Sequence, residues 1–281
     1  MTAVKAMEKH VSVNGLRLRY LDWGTDGKMP LICLHGHTGQ AHAWDEFAET
    51  VSPHYHVLTV DQRGHGGSQW ADTGYDRDRF VEDLAAFADA LGFSRFALAG
   101  SSMGGWNSLL YTHDHPERVG RIIIVDIAPE PSPEFVSQML KRPPTPMEFP
   151  TLEAAVAFMR QANPWATDAR LRKDAEDKMR QRDDGAWTWK ADPTLFNSPL
   201  PDMTTQALIQ RYWKAVETIP CPILEVQGAE SPLVSSDTIQ RMISVGKQFS
   251  SVTVASAGHV VMVDQPQAFI EATRSFLGIP A

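Results

Sequence analysis

The chain has 281 residues, of which 43% are hydrophobic and 21% are charged, and its formal net charge at pH 7 is −8. This length allows one large α/β domain with an insertion or two modest domains, and the composition excludes a disordered or fibrous protein. The acidic balance, without a Lys/Arg run, argues against nucleic acids and anionic membrane surfaces as partners.

The N-terminal segment MTAVKAMEKHVSVNG contains no apolar stretch followed by a small-residue cleavage site. No later segment has the roughly 18 uncharged apolar residues of a membrane span. We therefore expect a cytoplasmic protein that does not enter the membrane. Cys33 and Cys221 lie in or beside apolar runs, where buried, reduced thiols are expected rather than a disulfide.

Strand-like and helix-like segments alternate over the first 130 residues. Asn14-Gly15, between alternating apolar residues, predicts a hairpin turn. Amphipathic stretches such as FVEDLAAFADALG at 80–92 then separate short apolar runs. Continuous apolar runs separated by helices are typical of a parallel sheet that is buried on both faces. The sequence therefore predicts a doubly wound α/β architecture, whose first strands are LICLH (31–35), VLTVD (57–61), FALAG (96–100) and IIIVD (122–126).

This alternation stops between Pro129 and about Trp213, where the sequence is rich in Pro, Met and Trp. It resumes with PCPILEVQG at 220–228 and SVTVASAGH at 251–259, before a final amphipathic helix at 267–277. We therefore expect a discontinuous α/β core, residues 1–129 plus 214–281, with a helical cap inserted at residues 130–213.

The larger apolar side chains of the cap have two interpretations. They line an apolar pocket, or they form the core of the cap, which their helical spacing favours. Arg160 and Arg211 are expected to be solvated charges on helix faces rather than groups that recognise a substrate carboxylate. The apolar set is Met147, Phe158, Met159, Trp165, Trp187, Trp189 and Trp213.

A candidate nucleophile lies between a predicted strand and a predicted helix. Gly100-Ser101-Ser102-Met103-Gly104 fits G-x-S-x-G, a sharp turn that exposes the Oγ atom of its central serine. Ser102 is therefore the candidate, and the helix that follows favours developing negative charge at its N-terminus. His259, at the end of the last strand-like run, is the candidate general base. The alternative is a glycine-rich turn without catalytic chemistry.

The loop HGHTG at 35–39 follows the LICL strand and brings a second group toward the same sheet edge. The backbone N–H groups of His37 and Met103 would together form an oxyanion hole. An alternative takes His35, His37 and His42 as metal ligands, but no carboxylate accompanies the H-G-H pair at short spacing. We predict no metal, and no cofactor either, because no dinucleotide fingerprint follows the first strand.

The motifs GSSMGG, HGHTG, DQRGHGGS at 61–68 and SAGHVV together resemble the α/β-hydrolase superfamily in spacing and order. The resemblance implies the α/β-hydrolase fold: a mostly parallel eight-stranded sheet, helices on both faces and an inserted helical cap. It also implies that DQRGHGGS forms a structural turn beside the site, so Asp61, Arg63 and His65 are not catalytic candidates. Ser102 disfavours the dehalogenase and epoxide-hydrolase branches, which have an aspartate nucleophile there.

The acid of a catalytic triad is absent from the place where most such hydrolases keep it. The loop after ILEVQG reads Gly228-Ala229-Glu230-Ser231-Pro232, with a serine where the common G-x-x-D pattern has aspartate. Asp126 ends the strand that follows the Ser102 helix and should emerge at the same sheet edge, one strand along. We prefer it to Glu230, which is one residue out of register; the alternative is that Asp126 only caps the next turn.

VDIAP at 125–129 and ESPLVS at 230–235 resemble a subgroup of small intracellular esterases and thioester-active hydrolases. This resemblance implies that Asp126 is the acid and that Ser231 supports the histidine by a hydrogen bond. We therefore expect a serine hydrolase that cleaves a small carboxylic ester or thioester through an acyl-enzyme. Cleavage of a lactone, amide or carbon–carbon bond by the same triad, and a non-catalytic ligand receptor on this fold, are alternatives.

Overall fold

The N-terminal part of the chain supplies six strands of a central sheet in the computed structural model, which describes residues 5–197 and 205–280. The strands are β1 (Met7–Val13), β2 (Leu16–Asp22), β3 (Pro30–Leu34), β4 (His56–Val60), β5 (Phe96–Ser101) and β6 (Val119–Val125). The helices between them are a 3₁₀ helix (Ala41–Trp44), α1 (Asp45–Val51), α2 (Arg77–Ala90) and α3 (Met103–Asp114). Asn14 and Gly15 join β1 to β2 with φ angles of 49° and 77°, as in the predicted tight hairpin turn.

The insertion contains a small sheet in addition to its helices. Its helices are α4 (Pro133–Lys141), α5 (Leu152–Ala162), α6 (Asp168–Lys178) and α7 (Thr194–Asn197). Its strands are β7 (Glu148–Phe149), β8 (Met179–Gln181) and β9 (Trp187–Trp189), which pair antiparallel in the order β7-β9-β8. Strands of two or three residues are too short to show an alternating pattern, so the sequence predicted helices alone.

The C-terminal part completes the central sheet and supplies its remaining helices. The elements are α8 (Gln206–Thr218), β10 (Ile223–Gly228), α9 (Ser236–Val245), β11 (Phe249–Val254), α10 (Val261–Asp264) and α11 (Pro266–Leu277). The predicted boundary at residues 213–214 lies within α8, whose Tyr212 and Val216 pack in one apolar cluster with Leu109 of α3. This packing favours a boundary N-terminal to α8, which we keep as a proposal.

The central sheet has the strand order β1-β2-β4-β3-β5-β6-β10-β11. β2 pairs antiparallel with β1 and β4, and the other neighbours pair parallel. Alternate residues of β6 face opposite layers: Ile122 packs with α2, α3 and α8, whereas Ile123 packs with α1 and α11. The predicted mostly parallel, eight-stranded sheet with helices on both faces is confirmed.

Both cysteines are free and buried, as expected from the apolar runs that hold them. Burial raises the pKa of the Cys33 thiol far above its ordinary value, and that of Cys221 to about 11. Neither thiol is therefore poised to act as a nucleophile. None of the described helices has the length and apolar character needed to cross a membrane.

Candidate active site

Ser102 lies in the sharp turn between β5 and α3, with φ 49° and ψ −119°. This conformation is strained for a residue with a side chain. Backbone hydrogen bonds hold it on both sides: the Ser102 N–H donates to the Val125 carbonyl at 3.1 Å, and the Ser102 carbonyl accepts from Gly105 and Trp106. The turn places the Oγ atom of Ser102 at the carboxyl edge of the sheet, as G-x-S-x-G predicted.

The two glycines of this motif allow the strand and the helix to approach. A Cβ atom on Gly100 would lie 2.3 Å from the Gly104 carbonyl oxygen, and one on Gly104 would lie 2.3 Å from the Leu34 carbonyl oxygen. Both neighbours are backbone atoms, which cannot move aside without displacing a strand or a helix.

We expect Gly104→Ala to destabilise the fold by about 3 kcal/mol, because its methyl group would overlap the backbone of β3. Gly120→Ala is the matched control: its Cβ atom would meet its nearest neighbour at an ordinary 3.7 Å. Chemical denaturation of the purified variants would measure the two free energies of unfolding. Equal stability of Gly104→Ala and the control would contradict the close approach.

A hydrogen-bonded chain joins Ser102, His259 and Asp126. His259 Nε2 lies 2.9 Å from Ser102 Oγ, and His259 Nδ1 lies 2.7 Å from Asp126 Oδ2. A carboxylate only accepts hydrogen bonds, so the Nδ1 proton of a neutral imidazole donates to Asp126. Nε2 is then free to accept the proton of the serine hydroxyl, which is the arrangement of a nucleophile and its general base.

Asp126 follows β6 in a left-handed turn with φ 51°, and its side chain is fully buried. Besides His259, its carboxylate accepts hydrogen bonds from Ser231 Oγ at 2.5 Å and from the Gly228 N–H at 3.3 Å. A buried charge needs such partners, because burial without them is costly. The structure thus brings Ser231 to Asp126. Glu230 is exposed, and its backbone N–H donates to the Ala257 carbonyl.

Ser231→Ala is expected to lower kcat about tenfold with little change in KM, because Asp126 loses one of three donors that hold it toward His259. Steady-state ester hydrolysis measures both constants. Ser244→Ala, at an exposed serine in α9, is the control. An unchanged kcat would show that Ser231 does not contribute to catalysis. A loss of kcat as large as that of Ser102→Ala would show that Ser231 is essential.

A second carboxylate, Asp264, was missed by the sequence analysis. Its Oδ2 atom accepts the Gly258 N–H at 2.9 Å and so holds the loop that carries His259. Burial raises the pKa of Asp264 to about 6. The feature of the sequence that could have identified Asp264 is its position five residues after His259; in the structure it ends the short helix α10.

The loop at 35–39 passes directly beside Ser102. A Cβ atom on Gly36 would lie 3.0 Å from Ser102 Cβ. The His37 imidazole donates through Nε2 to the Leu195 carbonyl at 2.9 Å, so a role for His37 in holding an oxyanion concerns its backbone N–H. Burial lowers the pKa of His37, which keeps this imidazole neutral. Met103 is the first residue of α3, where an N–H has no acceptor within the helix.

Two further buried histidines hold this loop. Burial lowers the pKa of His35 to about 4 and that of His65 well below its ordinary value, so both rings are neutral. His65 Nδ1–H donates to the Arg63 carbonyl, and its Nε2 accepts the N–H of Thr38 at 3.2 Å. Thr38 has a left-handed φ of 56°, so His65 secures a strained position two residues after Gly36.

The rest of the DQRGHGGS segment makes structural contacts. Arg63 forms a buried bidentate ion pair with Asp83, with nitrogen–oxygen distances of 2.7 and 2.8 Å. Asp61 accepts the backbone N–H groups of Ala41 and Gly67. These contacts fix the loop beside the site without placing either side chain on the hydrogen-bonded chain of Ser102.

The histidines that the sequence offered as metal ligands do not converge. Across residues 5–197 and 205–280, the histidine, cysteine and acidic side chains whose ligand atoms come together are those of His42, Asp45 and Asp177. The Lys173 ammonium lies 2.9 Å from Asp45 and 2.6 Å from Asp177, so both carboxylates already have a cationic partner. These contacts join the core to α6 of the insertion.

Three parts of the insertion contact His259, the adjacent Gly258 or His37 of the neighbouring loop. Phe135 of α4 has its ring centroid 6.4 Å from that of His259. The Trp165 indole packs on Gly258, where a Cβ atom would come within 2.6 Å of its Cζ3 atom. The Leu195 carbonyl of α7 binds His37. The insertion therefore places the apolar side chains of Phe135 and Trp165 beside His259 and its loop.

Most of the other aromatic side chains of the insertion pack on one another. Phe149, Phe158, Trp189 and Phe196 form ring contacts with centroid distances from 5.1 to 6.4 Å. This favours the core interpretation for Phe158 and Trp189. Arg160 forms an ion pair with Asp168, and Arg211 forms one with Asp78.

Residues 29–266 match the family model described as alpha/beta hydrolase fold. Among curated proteins, the chain is 28% identical to a 3-hydroxybutyrate-oligomer hydrolase of Cupriavidus necator, over 95% of this chain and 96% of that protein. It is 29% identical to an esterase of Mycobacterium tuberculosis, over 92% of this chain and 85% of that protein. A crystal structure of an alpha/beta hydrolase from Novosphingobium aromaticivorans superposes with a TM-score of 0.85 at 24% identity, covering 99% of each chain.

Proposed function

The chain belongs to the α/β-hydrolase family, and on that premise we propose that it is a serine hydrolase that cleaves small carboxylic esters or thioesters. The observation that carries the proposal is the hydrogen-bonded chain from Ser102 Oγ through His259 to Asp126, at 2.9 and 2.7 Å. A serine, an imidazole and a buried carboxylate in this order are the parts that acyl transfer needs. The curated relatives include an esterase and an oligomer hydrolase.

The first half-reaction acylates Ser102. Its Oγ attacks the ester carbonyl carbon while His259 Nε2 takes the hydroxyl proton, and Asp126 stabilises the imidazolium that forms. The N–H groups of His37 and Met103 hold the negative oxygen of the tetrahedral intermediate. When the intermediate collapses, the bond to the leaving group breaks, and His259 returns its proton to the departing alcohol or thiol.

The second half-reaction releases the acid. His259 takes a proton from a water molecule, which attacks the acyl-enzyme carbonyl, and the same N–H groups hold the second oxyanion. Collapse breaks the bond to Ser102 Oγ, which regains its proton from His259. The apolar side chains of Phe135 and Trp165 beside His259 favour a substrate that is apolar near its reacting carbonyl.

The same machinery is compatible with cleavage of a lactone, an amide or a carbon–carbon bond. These reactions share the oxyanion hole and the histidine shuttle but differ in the leaving group that His259 must protonate. Hydrolysis of a homologous series of p-nitrophenyl esters, beside a lactone and an anilide of the same acyl group, separates these alternatives by their kcat/KM values.

Turnover of p-nitrophenyl butyrate by the purified protein tests the proposal. We expect sustained release of p-nitrophenol over many equivalents and covalent labelling of Ser102 by a fluorophosphonate. A ligand receptor on this fold would bind stoichiometrically without sustained hydrolysis. Labelling without turnover of any ester, thioester or lactone in the series would overturn the proposed function.

A further inference from the structure

Glu225 is a carboxylic acid in the middle of the central sheet. It lies on β10, paired in register with Ile124 of β6 and Ser251 of β11, and it is fully buried. Its neighbours on the same face, Ile223 and Ile124, belong to the apolar cluster beneath α3 and α8. A glutamate almost never occupies such a position unless it is paired, so its presence requires a reason.

Glu225 holds the backbone where the chain leaves β6. The Asp126 N–H still donates to the Val226 carbonyl of the neighbouring strand at 3.0 Å. Asp126 then adopts its left-handed φ of 51°, which turns the chain off the ladder and frees the next N–H, that of Ile127. Glu225 Oε1 accepts this N–H at 3.1 Å. The glutamate therefore replaces the ladder acceptor that the turn removes.

The charges of Glu225 and Asp126 are coupled. Burial, with the negative charge of Asp126 beside it, raises the pKa of Glu225 well above its ordinary value. Asp126 has three hydrogen-bond donors for its carboxylate, whereas Glu225 Oε2 has no partner among the described residues. Glu225 thus lacks the partners that a buried charge needs, and its raised pKa favours the protonated, neutral acid.

Other titratable groups act on Asp126 and not directly on Glu225. His259 lies on the loop beyond the sheet edge and Asp264 on α10; His259 contacts Asp126, and the charge of Asp126 acts on Asp264. The facing residue on β11 is Ser251, which carries no charge. Burial is therefore the main cause of the raised pKa of Glu225, and Asp126 is the charged group that adds to it.

We propose that Glu225 is a positioning residue for Asp126: as a neutral acid it holds the Ile127 N–H and fixes the turn that directs the Asp126 carboxylate to His259. This inference rests on the proposed Ser-His-Asp mechanism. A charged Glu225 would add a second negative charge near His259 and stabilise its protonated form, which cannot accept the Ser102 proton. The neutral acid supplies the acceptor without that effect.

Two variants separate the parts of this proposal. Glu225→Gln keeps a neutral side chain with the same acceptor oxygen, and Glu225→Leu removes the acceptor at similar volume. We expect Glu225→Gln to keep kcat within about threefold and to leave the acid limb of the pH profile of kcat/KM in place. We expect Glu225→Leu to lower kcat roughly 10- to 100-fold with KM nearly unchanged, because Asp126 shifts relative to His259.

If the acid limb of the kcat/KM profile of Glu225→Gln lay about one pH unit below that of the wild type, Glu225 would be charged in the wild type. A folded Glu225→Leu with wild-type kcat would refute the positioning role. If Glu225→Leu does not fold, the acid limb of Glu225→Gln still shows whether Glu225 is charged. Glu225→Ser, whose side chain is too short to reach the Ile127 N–H, then replaces Glu225→Leu as the test of the positioning role.

The pH dependence of protein stability tests whether Glu225 is neutral in the folded state, and it needs no activity assay. The raised pKa of Glu225 means that, above its ordinary value of 4.5, the unfolded chain loses this proton while the folded chain keeps it. The unfolding constant of the wild type should therefore rise relative to that of Glu225→Gln, approaching about tenfold per pH unit. A constant ratio would overturn the proposal. A rising ratio in a protein that hydrolyses no ester would separate failure of the proposed function from failure of the neutral state.

Discussion

Ser102→Ala is expected to lower kcat for p-nitrophenyl butyrate by about 10⁴- to 10⁶-fold, the largest effect of any single substitution. The methyl group of alanine fits the same turn, so the fold is kept while the only oxygen within 2.9 Å of His259 Nε2 in the described part of the chain is removed. Without that oxygen no acyl-enzyme forms, and the remaining oxyanion donors act only on direct attack by water.

Ser101→Ala is the matched control, because Ser101 is buried at the end of β5 and directly precedes Ser102. It should keep kcat within a few-fold and still be labelled by a fluorophosphonate. Circular dichroism and the denaturation midpoint establish that both variants are folded. Loss of labelling in Ser101→Ala with retention in Ser102→Ala would reverse the assignment of the two adjacent serines.

The fold was predictable because the core obeys local rules. Runs such as LICLH and IIIVD are apolar on both faces, which is typical of parallel strands between helix layers, and Asn14-Gly15 has the two residues of a tight hairpin. The strands β7, β8 and β9 were not predictable, because segments of two or three residues acquire strand geometry from pairing rather than from a pattern of their own.

The placement of the candidate site residues followed from the same rules. Ser102 and Asp126 directly follow the buried ends of β5 and β6, and His259 lies five residues beyond the edge strand β11; the carboxyl ends of these parallel strands meet at one edge. The structure brings them together with Ser231, and their catalytic roles stay predictions. Glu225 was hidden within the apolar run ILEVQG, where one glutamate does not change the pattern. The contact of His65 with Thr38 joins distant loops and leaves no local signal.

Asp126→Asn is expected to lower kcat about 10⁴-fold while the protein stays folded. Asp126 Oδ2 accepts from both Ser231 Oγ and His259 Nδ1, and an amide NH₂ group in that place would donate instead. The imidazole would then keep its proton on Nε2, facing Ser102, where it cannot accept the hydroxyl proton. Glu230→Gln is the control: its side chain is exposed, so kcat should stay within about twofold. If Glu230→Gln lost its activity while Asp126→Asn stayed active, Glu230 would be identified as the acid.

A rescue experiment separates loss of the carboxylate from damage to the turn. Ser231 occupies the place of the aspartate in the G-x-x-D pattern, and its Oγ lies 2.5 Å from Asp126 Oδ2. In Asp126→Asn/Ser231→Asp a carboxylate returns to His259 from β10 instead of β6, and kcat should recover at least about tenfold over Asp126→Asn alone. Ser231→Asp alone places two carboxyls together, so one must hold a proton and the activity should depend more strongly on pH. Absence of rescue in a folded double variant would mean that His259 requires the direction fixed by the Asp126 turn, and the two positions of the acid would not be interchangeable.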